Sequence, residues 1–134
     1  MTAPHKILFV CRHNAIRSQI AEALANKMGR GRVIAKSAGT EPQPIPEQIA
    51  EWVTQLNGNE IKPSSKSLDS MAVEQFDTII TLCDKSHDAL PEIATDQQHI
   101  RWDFKHTEEP EALRHMEIEI SERLRLMLQV KGLL

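Results

Sequence analysis

The sequence predicts an α/β protein: a mostly parallel sheet covered by helices on both sides, built as one domain over residues 1–134. Three observations point there. Apolar runs of strand length alternate with segments of helical periodicity, the order expected of βαβ crossovers. The first run, residues 6–10 (Lys-Ile-Leu-Phe-Val), is apolar at nearly every position rather than every second one, as in a strand buried on both faces of a parallel sheet. The length of 134 residues suits one hydrophobic core and is short for two.

Each element follows from local pattern. After the first strand, Ile20, Leu24 and Met28 recur at helical spacing from Ser18 onward, with alanines between them, and Gly29 marks the stop. A second strand is read at residues 32–36 around Val33 and Ile34. It runs into Ser37-Ala38-Gly39-Thr40, small residues that let backbone approach backbone or a ligand. Beyond Pro42 and Pro44, Pro46 suits the first turn of a helix carrying Ile49, Val53 and Leu56, which ends at Asn57-Gly58. The serine-rich stretch to Met71 reads as loop. Residues 76–82 form a third strand that enters a polar turn at Cys83-Asp84, and residues 98–102 a last short one. From Pro110, Leu113, Met116, Ile120, Leu124 and Leu128 mark one face of a helix running to the end. Open parallel sheets bind ligands at the carboxyl ends of their strands, and Cys11 and Cys83 both lie at that edge.

Composition narrows the chemistry. An apolar fraction of 40% and a charged fraction of 26% are globular values, and no apolar run has the length of a membrane span or a secretory leader. A net charge of −3 without a Lys/Arg block gives no footprint for nucleic acid, so any anion site must be local. Two cysteines are too few for a disulfide scaffold and lack paired zinc spacing, which points to a reducing cytoplasm. The six histidines show no ligand spacing either, so no metal is expected.

The chemistry therefore centres on Cys11-Arg12-His13-Asn14-Ala15-Ile16-Arg17-Ser18, a loop between a strand and a helix. Such a loop turns its N–H groups inward as a nest and aims a helix N-terminus at a bound anion, which suits a tetrahedral oxyanion. Cys11 sits inside that field, where partial positive charge and a nearby guanidinium favour the thiolate nucleophile. Arg17 offers two parallel donors to two oxygens, which lysine cannot copy. Ser18 is placed to cap the helix or to donate to the thiolate, and Asn14 to brace the loop through bonds to its own backbone. His13 reads either as a hydrogen-bond partner of the anion or as an exposed side chain. The plainer reading makes Cys11 a small hydrophobe closing a strand and Arg17 a solvated helix opener. The strand before, the helix after and the adjoining Ser18 favour an active loop.

Cys11-Arg-His-Asn-Ala-Ile-Arg17-Ser18, followed by Gln19-Ile-Ala-Glu-Ala, resembles the signature of the low-molecular-weight protein tyrosine phosphatases and their related arsenate reductases. Ser37-Ala-Gly-Thr40 is similar to the family's second small-residue motif, and Thr81-Leu82-Cys83-Asp84 resembles the arsenate reductase branch. The resemblance implies a three-layer αβα fold around a four-stranded parallel sheet of flavodoxin-like topology, Cys11 as nucleophile, Arg17 and the loop amides as oxyanion clamp, and Asn14 and Ser37 as loop support. His13 stands where members commonly have glycine, and Ile16 where they have cysteine. Leu90 occupies the place of a third relay cysteine, and Lys85 the place of the extra cysteine of another reductase type. Lys66 stands where potassium-dependent members put an acidic ligand, so no potassium site is expected.

A departing oxygen needs a proton, so a carboxylic acid should overhang the loop. The family supplies it as Asp-Pro after a strand end bearing Trp. Here the segment runs from Trp102-Asp103 to Glu109-Pro110, and Asp103 and Glu109 are equal candidates, each also readable as a solvated or helix-start acid. His106 reads as solvated, Trp52 as core, and Trp102 as core or cleft wall. The chain has no tyrosine to frame a phosphotyrosine ring.

The expected function is reduction of arsenate through a Cys11 adduct resolved by Cys83 or an external thiol. Two alternatives stand beside it: a phosphatase acting through a Cys11 phosphoenzyme, and a non-catalytic oxyanion-binding or regulatory domain. The expected partners are a small oxyanion (arsenate, phosphate or sulfate) or a phosphorylated substrate, with thioredoxin, glutaredoxin or a low-molecular-weight thiol as reductant. No cofactor, nucleic acid or membrane is expected.

Overall fold

A computed structural model describes residues 3–58 and 62–134. Strand β1 (His5–Cys11) is followed by α1 (Arg17–Gly29), β2 (Val33–Gly39), α2 (Glu47–Leu56), β3 (Thr78–Thr81), α3 (Asp84–Ala89), β4 (Gln98–Arg101) and α4 (Pro110–Val130). The strands form one parallel sheet in the order β2-β1-β3-β4. β1 is central, which accounts for its unbroken apolar run: its side chains enter two cores alternately. Ile7, Phe9 and Cys11 face one core, together with α1, α2 and α4. Leu8 and Val10 face the other, with Leu68, Val73 and Phe76.

The second face carries the thinner layer. It includes two 3₁₀ turns: Leu68–Ser70, inside the stretch read as loop, where Ser67 Oγ accepts from Asp69 N–H and starts the turn, and Val73–Gln75 beyond that stretch. The polar turn expected after the third strand is instead the opening of helix α3. Its six residues are too few for a periodic apolar signal. What starts it is a reciprocal cap: the Cys83 side chain accepts from the Ser86 N–H, and the Ser86 hydroxyl accepts from the Cys83 N–H.

On the first face, α4 presents the stripe read from sequence, and Leu113, Met116, Ile120, Leu124 and Leu128 are all buried. Helix α1 is enclosed further round than its periodicity indicates, because Ala21, Ala23 and Ala25 let neighbouring elements approach closely. Gly29 is still helical, and the left-handed stop is taken by Arg30 at φ 45°. Glycine is needed at 29 for a different reason: a Cβ there would stand 2.5 Å from the Val33 Cβ as the chain turns into β2.

Candidate active site

The loop after β1 is shaped by where its carbonyls go. The carbonyl of Cys11 accepts from Thr40 N–H (3.2 Å), that of Arg12 from Glu41 N–H (2.7 Å) and that of His13 from Gln43 N–H (3.0 Å). With those carbonyls held by the segment after β2, the loop wraps the sulfur with donors, and Asn14 N–H lies 3.3 Å from Cys11 Sγ. This wrap requires close backbone contact at Gly39, where a Cβ would stand 2.8 Å from both the Arg12 oxygen and the Asn14 nitrogen. The small residues read at 37–40 serve that approach.

Asn14 is the keystone. It adopts φ 50°, a left-handed conformation that asparagine tolerates better than most residues. Its side chain bonds not to its own backbone, as expected from sequence, but across the site. Oδ1 accepts from the Lys66 N–H (2.8 Å) and Gln19 Nε2 (3.1 Å), and Nδ2 donates to Ser18 Oγ (2.7 Å). Ser18 Oγ in turn lies 2.9 Å from Cys11 Sγ. Ser18 Oγ thus accepts from Asn14, and its own proton is free to be donated to the sulfur beside the Asn14 N–H. Ser18 therefore contacts the Cys11 sulfur rather than capping α1. The residue before the helix is Ile16, buried like Ala15 beneath the loop.

Arg17 is 6% exposed and donates from Nη1 to the Phe104 carbonyl at 2.9 Å, which ties its guanidinium to the segment after β4. Arg12 lies outside, paired with Glu41 at 2.8 Å, and that guanidinium holds the Glu41 carboxyl below its ordinary range. Ser37 takes a role other than loop support: its hydroxyl donates to Glu22 Oε1 (2.9 Å) on α1. Lys66 Nζ lies 3.9 Å from the same oxygen and donates to the Ser64 carbonyl at 2.7 Å. Burial pushes the Glu22 carboxyl up and the Lys66 ammonium down, each shift partly opposed by the other's charge.

A cavity of about 630 Å³ opens above the loop, and its lining includes Arg12, His13, Arg17, Cys83, Asp103 and His106. The sheet explains the meeting. β1 and β3 are neighbours in register, so their carboxyl ends bring Arg17 and Cys83 to one cavity. Both cysteines are free. Of the two candidate acids, Asp103 lines the cavity. Glu109 is exposed at the start of α4, where its N–H bonds to Thr107 Oγ1, and it is not among the lining residues.

His106 is not simply solvated: it stands edge-on to His13 at 5.9 Å between ring centroids and helps line the cavity. His13 is pushed below its ordinary range by burial and by Arg12, His106 and Arg17, against a smaller opposing effect of Glu41. Trp102 is buried, with the Arg123 guanidinium 5.7 Å from its ring centroid and 4.9 Å from that of Phe104.

A match to a family model spans residues 6–120 and is described as low molecular weight phosphotyrosine protein phosphatase. The chain belongs to this family. A glutaredoxin arsenate reductase from Synechocystis is 25% identical over 100 residues, covering 75% of this chain and 76% of that protein. A crystal structure of an arsenate reductase from Archaeoglobus fulgidus superimposes with a TM-score of 0.72 at 28% identity, over 92% of this chain and 98% of that one. A thioredoxin-dependent arsenate reductase from Corynebacterium glutamicum shares the fold at TM-score 0.76 and 24% identity over 99% of this chain. The chain spans only 65% of that protein's length.

Several family-loop contacts lay outside the sequence reading. Gln19 donates to the Asn14 backbone oxygen (3.0 Å) and to the Ser64 carbonyl (2.8 Å), bracing the loop from inside α1. Its signal was a polar residue beside Ser18 at the enclosed end of a helix. Asp84, His87 and Asp103 bring one ligand atom each within 4.8 Å of one another, a cluster from different segments that no spacing announces. Two of the three are exposed, and His87 is already engaged by Asp103 at 2.7 Å and by Thr81.

Proposed function

We propose that this chain reduces arsenate to arsenite, with Cys11 as nucleophile. The observation that carries the reading is Cys83 in the same cavity as Arg17 and Asp103: a reductase needs a second thiol at the anion site, whereas a phosphatase does not. Relatives bearing the name arsenate reductase support the same substrate. Arg17 and the loop amides hold the oxyanion, and the Cys11 thiolate attacks arsenic. A sulfur–arsenic bond forms as an arsenic–oxygen bond breaks, and the departing oxygen takes a proton from Asp103 and leaves as water. A second thiolate then attacks Cys11 Sγ. The sulfur–arsenic pair goes to arsenic, releasing arsenite, and the two thiols become a disulfide.

Cys83 is the internal candidate for that second thiol. With Leu90 in place of a third relay cysteine, the Cys11–Cys83 disulfide is handed directly to an external reductant. Relatives named for glutaredoxin and thioredoxin support a dithiol protein or a low-molecular-weight thiol in that role, within a reducing cytoplasm. Phosphate and sulfate compete for the same cup.

The test is arsenate turnover with glutathione and glutaredoxin, with thioredoxin, and with dithiothreitol, in wild type, C11S and C83S. C11S loses all turnover. C83S loses turnover with thioredoxin and keeps part of it with a small thiol. The second reading, phosphomonoester hydrolysis, is favoured by Asp103 over the anion loop but meets a cavity with no tyrosine. Cys11-dependent hydrolysis of p-nitrophenyl phosphate without arsenate reduction by any donor establishes it in place of the first.

A further inference from the structure

Asp103 has three-quarters of its side chain in solvent, and an acid so exposed adopts many rotamers unless something holds it. Here one group does. His87 Nε2 lies 2.7 Å from Asp103 Oδ1, and its imidazole is 7% exposed on α3. The ring is itself pinned: Nδ1 meets the buried Thr81 hydroxyl, which also lies 2.7 Å from His99 Nε2. A chain His99–Thr81–His87–Asp103 thus runs from β4 through β3 and α3 to the mouth of the cavity.

We propose that His87 is the positioning residue of the acid: its Nε2–H, donated to Oδ1, fixes the Asp103 carboxyl over the oxyanion loop and leaves Oδ2 to carry the transferable proton. This rests on the reading of Asp103 as proton donor given above. The hydrogen bonds balance. The Thr81 hydroxyl has one proton and stands between two imidazole nitrogens, so it donates to one and accepts from the other. In the assignment that lets the His87 ring donate to the Asp103 carboxyl, His99 supplies its Nε2–H to Thr81. The hydroxyl then donates to His87 Nδ1, which places the His87 proton on Nε2, facing Asp103. As the departing oxygen takes the proton from Oδ2, the carboxylate that forms is met by the Nε2–H, so the donor stabilises the spent acid without moving.

Two measurements decide the matter. In ¹⁵N-edited NMR of the whole protein, the His87 ring shows the Nε2–H tautomer with a protected N–H, and D103A abolishes that protection. An unchanged signal in D103A overturns the pairing, whatever the protein's activity. In kinetics, H87A lowers kcat about tenfold more on phenyl phosphate, a poor leaving group, than on p-nitrophenyl phosphate, which departs without a proton. H87Q, whose amide N–H reaches the same oxygen, restores most of that difference. An equal loss on both esters, or no rescue, overturns the positioning role and leaves His87 merely structural. If the protein turns over neither ester, the same comparison is made on arsenate, where H87A slows reduction and H87Q rescues it. Absence of all turnover in wild type overturns the proposed function and the catalytic part of this inference together, while the NMR result still decides the pairing.

Discussion

Replacing Gly39 by alanine isolates the contact that shapes the oxyanion loop. Its φ lies outside the left-handed region, so alanine carries no backbone penalty there and the effect is steric. The new Cβ meets the Arg12 oxygen and Asn14 nitrogen at 2.8 Å and the His13 carbonyl carbon at 2.9 Å, all backbone atoms. Reaching the 3.4 Å of ordinary contact requires a displacement of about 0.6 Å. Strand β2 is pinned by its register with β1, where Gly39 pairs with Cys11, and by its N–H on the Lys66 carbonyl at 2.8 Å, so the loop is what yields. Overpacking of this kind costs about 1–3 kcal/mol, which lowers the urea midpoint by roughly 1 M. If a 1 Å misplacement costs about 100-fold, this displacement costs roughly 15-fold in kcat/KM. Calorimetric titration with phosphate gives a second readout, since the displaced amides no longer converge on the anion. Phosphate affinity and a urea midpoint both equal to wild type in G39A would refute the claim that close backbone contact sets the loop. Gly31→Ala is the control: φ is +87° with open space around it, so it loses about 1 kcal/mol of stability and leaves phosphate affinity intact.

Other expectations follow from the same geometry. Arg17→Lys cannot keep both the Phe104 carbonyl and a two-oxygen grip, so kcat/KM falls at least about 100-fold while the urea midpoint moves little. Ile120→Ala empties a fully buried position on the face of α4 that closes the first core, and costs about 2–5 kcal/mol by urea unfolding. Burial holds His5 and His99 below their ordinary range, so the folded state resists protons that the unfolded chain accepts near about pH 6.5. Their contribution to stability is therefore present at pH 7 and lost as pH falls through that value toward the folded titration. The urea midpoint declines less between pH 7 and pH 5 in H99Q than in wild type. Using that difference removes the opposite trend of Glu22, whose raised carboxyl favours the fold on acidification.

Periodicity and steric limits are local properties of the chain, and they were sufficient for the frame. The apolar run at 6–10 predicted a strand covered on both faces, and the stripe from Leu113 to Leu128 predicted a buried helix face; the structure has both. The loop after β1 stood out because Cys11, Arg17 and Ser18 lie within seven residues of one another between a strand and a helix, and the contact of Cys11 with Ser18 is of that range. Helix α3 was not legible, because six residues carry no period and its start depends on a thiol and a serine capping each other.

What only the tertiary structure decided is which distant groups meet. Asp103 and Glu109 are alike in sequence, and the path of the chain after β4 leaves one in the cavity and the other on the surface. Ser37 was expected at the loop and instead meets Glu22, while Asn14 bonds to Lys66 and Gln19 rather than to its own backbone. His87 acquires its contacts with Thr81 and Asp103 because parallel β3 and β4 end side by side. The physical reason is range. Helical and strand patterns arise from neighbours a few residues apart, whereas a side chain's hydrogen-bond partner is set by the register of whole strands.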